Sequence, residues 1–224
     1  RQLKKYGDKY FIRITKSHKY PKVEITTKFD FDGNDYFGLF ISRRKAEVVL
    51  DIIDKTFALR ECNEKEFKKG KKCFLADIER CSAPCVKSID PEYFNELERV
   101  YEFLSGGNQS ALNRMLNKMK EYAAKEKYEK AAETKQVIDL MLSQTHKSSL
   151  LAEPVNKANV LFEITEGINH DYILLLEGKY FIKKNSLKGR DSFEDALDDY
   201  YTHTIRLDIN PSEEDIEKMK ISLN

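Results

Sequence analysis

The sequence predicts an α+β chain, and three observations carry that prediction. Residues 9–15 (KYFIRIT) and 22–29 (KVEITTKF) are β-rich runs of alternating character, and NVLFEIT, DYILLLEG and KYFIKKNSL repeat the pattern from residue 159 onward. Between these regions, apolar residues recur at three- and four-residue steps, the period of packed helices. Turn residues separate the elements: Pro21, Asp32-Gly33-Asn34, Gly106-Gly107 and the polar stretch 145–157 with its Pro154.

The 224 residues suffice for one large or two small domains with a real core. With 41% hydrophobic and 34% charged residues and a net charge of +1, the chain reads as soluble, ordered and cytoplasmic. No apolar run is long enough to span a bilayer, so no membrane partner is expected. The near-neutral balance does not advertise nucleic acid, but local charge does. The chain opens on Arg1 rather than Met, as expected of a piece of a longer polypeptide.

Tyr10, Arg13, Tyr20 and Tyr36 lie in or beside the first strands and read as residues that pack or face solvent. Ser42 suits the N-cap of a helix running to about Ala58, with Ala46, Val49, Leu50, Ile53 and Phe57 as its stripe. Arg43, Arg44 and Lys45 fill its first turn, where the helix dipole disfavours cations. They read as a solvated face or as contacts to a phosphate backbone.

Cys62, Cys73, Cys81 and Cys85 are the four cysteines of the chain, spaced C-x10-C-x7-C-x3-C. Their segment is lysine-rich and poor in large apolar residues, so a bound centre would supply the ordering free energy that its burial cannot. Disulfides suit secreted chains, and nothing here suggests secretion. Structural zinc favours close cysteine pairs, and only Cys81 and Cys85 have that spacing; iron–sulfur clusters tolerate irregular spacing. From spacing alone, a cluster, zinc and four free thiols stay open. Lys68, Lys69, Lys71 and Lys72 sit inside the cysteine loop and, with Arg43, Arg44 and Lys45, form the candidate basic patch for DNA. FLADIER is expected to make a short helical turn stopped by Pro84.

Asp90 and Pro91 mark the start of a helix, as N-cap and first residue, with Tyr93, Phe94, Leu97, Val100, Tyr101 and Leu104 as its buried stripe. A helical hairpin follows from Asn108 or Ser110. Leu112, Met115, Leu116, Met119, Tyr122 and Ala123 repeat along its first helix; Tyr128, Ala131, Ala132, Ile138, Met141 and Leu142 along its second. Helices are also expected at 193–201 and after Pro211. Glu194, Asp195, Asp198 and Asp199 read as a solvated face, and His170 and His203 as lone histidines.

The stretch ERCSAPC at Glu79–Cys85 resembles the GRCxAPC signature of the UvrC family of excinucleases, the incision nucleases of bacterial nucleotide excision repair. Asp35–Cys62 resembles the family's YFGPF, short helix and F-x-L-R-x-C. EKYEKAAETKQVIDLM resembles its UVR motif, F/YE-x-AA-x-x-R-D-x-I, with Lys135 and Gln136 in place of the usual Arg and Asp. The three stand in the family's order over at least residues 6–144.

The resemblance implies a [4Fe-4S] cluster on Cys62, Cys73, Cys81 and Cys85. It divides the chain into closing strands of a GIY-YIG-like nuclease domain (1–41), a four-cysteine helical module (42–107) and a UVR-like hairpin (108–147). A small α/β unit at 158–224 resembles, through GRDSF, the entry to an RNase H-like domain, or the corresponding unit of GIY-YIG/exonuclease fusion proteins. It also implies pairing with the damage-verifying helicase of the excinuclease system through Tyr128, Glu129, Ala131, Ala132, Lys135 and Ile138. The parent would be a metal-dependent DNA endonuclease whose catalytic residues and divalent metal lie outside this chain, so no catalytic residue is assigned and the piece alone is expected to be inactive. Its expected role is to bind double-stranded DNA and a repair partner. The alternative, from a different class, is a zinc-stabilised structural or adaptor module with no nucleic acid role.

Overall fold

A computed structural model of the chain describes residues 10–30, 32–40, 42–87, 90–145, 154–166, 169–176 and 179–183. The fold is α+β and divides into two compact units, residues 1–28 with 33–152 and residues 29–32 with 153–224. The helices expected at 193–201 and after Pro211, the GRDSF stretch, Glu194, Asp195, Asp198, Asp199 and His203 lie outside the described residues.

In the first unit, β1 (Tyr10–Ile14) is the central strand of a three-stranded antiparallel sheet, flanked by β2 (Val23–Thr26) and β3 (Asp35–Phe40). Ile12 pairs with Ile25 on one side and with Phe37 on the other. Reading β3 from sequence is difficult because Gly38 interrupts the β-formers. The structure gives the reason for Gly38: its φ is +80°, the β1–β3 register shifts beside it, and a Cβ there would run into the Phe40 ring. Arg13 is paired with Glu24 across the sheet, and Tyr20 and Tyr36 are buried, so all three are structural in this fold.

Six helices follow among the described residues. Ser42 caps α1 (Arg43–Thr56), its hydroxyl accepting from the Lys45 amide. Asn63 caps α2 (Glu64–Lys68), and Cys73 precedes the single turn of α3 (Phe74–Asp77). The long helices are α4 (Pro91–Leu104), α5 (Asn108–Ala124) and α6 (Tyr128–Thr145). One core joins Ile12 and Ile14 of β1, Ile52 and Ile53 of α1, Tyr93 and Val100 of α4, Met115 of α5 and Met141 of α6. Each such side chain contributes roughly 1.5–3 kcal/mol by leaving water. Strands, cysteine segment and hairpin, separable in sequence, therefore share one interior.

Several expected faces are corrected. In α4, Phe94 is 40% exposed while Glu96 and Phe103 are buried, because the helix turns the Glu96 carboxylate to the Ala58 amide and the Phe103 ring to Phe57 at the exit of α1. In α6, Tyr128 and Leu142 are exposed and Val137 is buried. Asp90 occupies the N-cap position of α4 without capping it. Its carboxylate instead accepts from Ser82 Oγ at 2.8 Å and Lys87 Nζ at 3.0 Å, tying the helix start to the cysteine loop.

The second unit contains an antiparallel meander of β4 (Asn159–Glu166), β5 (Asn169–Leu176) and β6 (Lys179–Lys183). Among the described residues, no helix is long and apolar enough to cross a membrane.

Candidate functional site

The site is assembled from the C-terminal end of α1. Helix α1 stops when Phe57 turns extended, and the chain then runs straight through Leu59 and Arg60 to Cys62. The segment carrying Cys81 is clamped beside it: the Ser82 amide donates to the Ala58 carbonyl at 3.0 Å. Arg80 reinforces the clamp by donating to the Asp54 carbonyl at 3.3 Å and to Glu61 at 3.2 Å. Cys73 arrives at the start of α3, and Cys85 from the turn after Pro84.

Together Cys62, Cys73, Cys81 and Cys85 line one cavity of about 220 Å³, with Arg60, Phe67, Lys69, Lys71 and Lys72 also on its wall. Cys81 is buried; the other three are half-buried. Burial pushes the Cys81 thiol up to about 11, the neighbouring Cys73, Cys62 and Cys85 adding to the rise and the Ala83 amide opposing it. That amide donates to Cys81 Sγ at 3.4 Å, and Ala83 takes a left-handed φ of 56°. Burial likewise raises the Cys62 thiol, with Arg60 opposing. Ionising the Cys81 and Cys62 thiols would require positive charge, which a bound metal centre would supply.

Among the described residues, no three His, Cys, Asp or Glu side chains gather closely enough to hold a single metal ion. A zinc ion with bonds of about 2.3 Å draws its ligands to one point, whereas a cluster takes each thiolate on a different iron and leaves them spread around a cavity. The donor set on the cavity wall, four thiols with Glu66 beside them, is one that both a structural zinc ion and an iron–sulfur cluster can use.

Helix α3 corrects the expectation that Pro84 ends it. It stops at Asp77, where Glu79 adopts φ 62°. The Arg80 amide donates to the Leu75 carbonyl at 2.8 Å and the Glu79 amide to the Ala76 carbonyl at 3.3 Å, the paired bonds of a Schellman cap that favours glycine at the left-handed position. Here a glutamate occupies it. Glu79→Gly should raise stability by about 0.5–1 kcal/mol, as a relieved left-handed residue. A rise in the urea midpoint with unchanged slope is the expected reading; a fall would show that the glutamate's attraction for Lys118 outweighs its backbone strain.

The lysine segment is better held than its composition suggests. Asn63 Oδ1 accepts from the Glu66 amide at 2.9 Å, fixing the start of α2. Phe67 anchors the helix: its ring meets His18 edge-on at 4.8 Å and lies 4.9 Å from the Arg60 guanidinium. The segment therefore has fixings of its own, the Asn63 cap and the Phe67 ring contacts.

The predicted basic residues fall into two groups. Arg43, Arg44 and Lys45 are exposed at the start of α1, and Arg43 is paired with Glu47 at 2.8 Å. Lys68, Lys69, Lys71 and Lys72 are exposed at the end of α2 and in the segment after it. Lys69 is paired with Glu66 at 2.5 Å. No hydrogen bond or ion pair among the described residues joins the two groups.

On α6, Tyr128 is 68% exposed, Glu129, Ala132 and Lys135 are exposed, and Ala131 is half-buried. Ile138 corrects the predicted partner face: it is 5% exposed and packs in the core, because it lies on the side of α6 turned to α1. The residue that sequence reasoning left without a role is Arg60, visible there only as an arginine two places before a cysteine.

Residues 10–104 match the family model described as UvrC/Cho excinuclease, middle domain. The match takes in β1–β3 as well as the cysteine segment. The chain is similar to UvrABC system protein C of Lachnospira eligens, 27% identical over 187 residues, covering 82% of this chain and 30% of the relative. It is similar to the protein of the same name from Clostridium perfringens, strain ATCC 13124, 27% identical over 221 residues, with 88% and 34% covered. That of Bdellovibrio bacteriovorus is 31% identical over 168 residues, with 69% and 27% covered. The chain spans about a third of the length of these curated relatives. No solved structure matches it.

Proposed function

Because the chain belongs to the UvrC family, with its middle domain at residues 10–104, we propose that it is the DNA-facing and partner-binding portion of a nucleotide excision repair endonuclease, organised around a [4Fe-4S] cluster. The observation that carries this reading is the convergence of all four cysteines on one cavity whose wall includes Lys69, Lys71 and Lys72. Cys62, Cys73, Cys81 and Cys85 would hold the cluster, which, when bound, supplies a rigid anionic anchor for the loop. The lysines themselves stand exposed on a backbone pinned by Asn63 and Phe67. A cationic loop already fixed in shape binds phosphates with less loss of conformational freedom than a mobile one.

Arg43, Arg44 and Lys45 would form a second contact along the duplex. The exposed side of α6, with Tyr128, Glu129, Ala132 and Lys135, would receive the damage-verifying excinuclease helicase in the cytoplasm. Hydrolysis of the phosphodiester bond would belong to other parts of the longer polypeptide.

Two measurements on one preparation test this. Anaerobically purified protein should carry iron and inorganic sulfide with broad absorption near 400 nm; stoichiometric zinc in a colourless protein would favour the adaptor reading instead. Neutralising Lys68, Lys69, Lys71 and Lys72 to Gln should weaken duplex binding and reduce the salt slope by about 0.9 for each lost phosphate contact. A slope equal to that of the unsubstituted chain would exclude the loop from the DNA interface.

A further inference from the structure

We infer that Arg60 is the residue that positions the cysteine cavity and balances its charge: a buried guanidinium that fixes the Cys62 segment and supplies the cation around which four thiolates can gather. This rests on the reading above, that the cysteines hold an iron–sulfur centre.

Arg60 is 2% exposed and lies on the cavity wall. The three lysines on the same wall are exposed, so water screens them, while the charge of Arg60 acts through protein of low dielectric. Its planar fork is satisfied by three acceptors from two segments. Nε donates to the Tyr20 carbonyl at 2.6 Å, one terminal nitrogen to the Cys62 carbonyl at 3.1 Å, and the other to Glu64 at 2.9 Å. The Phe67 ring covers one face. Its own amide donates to Tyr93 Oη at 3.3 Å, and that hydroxyl donates onward to the Pro21 carbonyl. The β1–β2 turn, α2 and the first cysteine are thus locked through one side chain, and α4 through the main-chain amide of the same residue. Lysine, a single point charge, cannot make those three bonds at once.

The charge is only partly answered. Glu64 is the carboxylate that receives Arg60, and its side chain is 50% exposed, where solvent weakens the attraction. A buried cation with a half-solvated counter-charge has room for a second anion, and the cavity whose wall it shares is the one lined by the four cysteines. A cluster ligated by four thiolates carries net negative charge, and reduction adds more, so a nearby cation favours the reduced form.

The test uses the chain reconstituted anaerobically with iron and sulfide, as wild type and as Arg60→Gln, Arg60→Lys and Glu64→Gln. Iron content, midpoint potential by redox titration and thermal midpoint of the metal-free form are measured for each. Arg60→Gln should shift the reduction equilibrium about tenfold toward the oxidised form, about 59 mV for a one-electron couple, and lose iron to a chelator several-fold faster. Arg60→Lys should keep the wild-type potential but melt earlier, since the charge remains and the anchors do not. Glu64→Gln, on an exposed side chain, should move the potential the other way. Iron-loaded variants whose potentials all equal the wild type would overturn the inference and leave the cluster reading standing. If Arg60→Gln does not fold, an unshifted Glu64→Gln overturns it alone. Wild-type protein that takes up no iron would remove the cluster reading, and this inference with it.

Discussion

Replacing Cys81 by Ser should abolish the absorption near 400 nm and take bound iron from about four per chain to near zero. Cys81 is the most buried of the four thiols and the one that accepts a backbone hydrogen bond, from Ala83. A hydroxyl of similar size leaves the Ser82–Ala58 clamp intact but offers a poor ligand to iron. The metal-free forms of wild type and variant should therefore melt at similar temperatures, while only wild type gains stability on reconstitution. That gain would be about 2.7 kcal/mol at a hundredfold excess over the dissociation constant. A Ser variant that keeps its full iron would take Cys81 out of the ligand set; one whose metal-free form is already unfolded would show that the thiol matters to packing before it matters to metal.

Glu96→Ala should destabilise the first unit by about 3 kcal/mol, as expected of a broken buried charge network. Glu96 is 2% exposed. Its carboxylate accepts from the Ala58 amide at 3.2 Å and from Arg114 at 2.7 and 2.8 Å, and is paired with Arg99. It thereby fastens α4 to the exit of α1 and to α5, and Ala58 is the residue whose carbonyl clamps the Cys81 segment. Arg99 and Arg114 are partly exposed and regain water when the carboxylate is removed, but the Ala58 amide does not. Glu96→Gln keeps an acceptor for that amide and should cost about half as much. Urea unfolding followed by circular dichroism measures both. A loss below about 0.5 kcal/mol for the alanine variant would mean that packing, not this carboxylate, joins the three helices.

The helices and their ends were legible because their signals are local. Ser42 caps α1, Pro91 opens α4, and the three- and four-residue repeat of Met115, Ile138 and Met141 marks faces that are indeed buried. The four cysteines were conspicuous as a set. Polar residues whose partners lie far along the chain were not. Asp90 looks like an N-cap until Ser82 and Lys87 offer its carboxylate a better position. Glu96 looks like a solvated residue until Arg114, eighteen places on, meets it. Glu79 sits where the cap geometry favours glycine, and only its φ of 62° reveals that.

Periodicity and capping chemistry act over a few residues, so the primary structure alone established the α+β class, most helix boundaries and the thiol set. Which side of α4 and α6 turned inward, the meeting of four thiols around one cavity and the burial of Arg60 among Tyr20, Cys62 and Glu64 depended on the fold. Those outcomes come from contacts spanning tens of residues, where the free energy of a buried charge is set by partners that no local stretch of sequence contains.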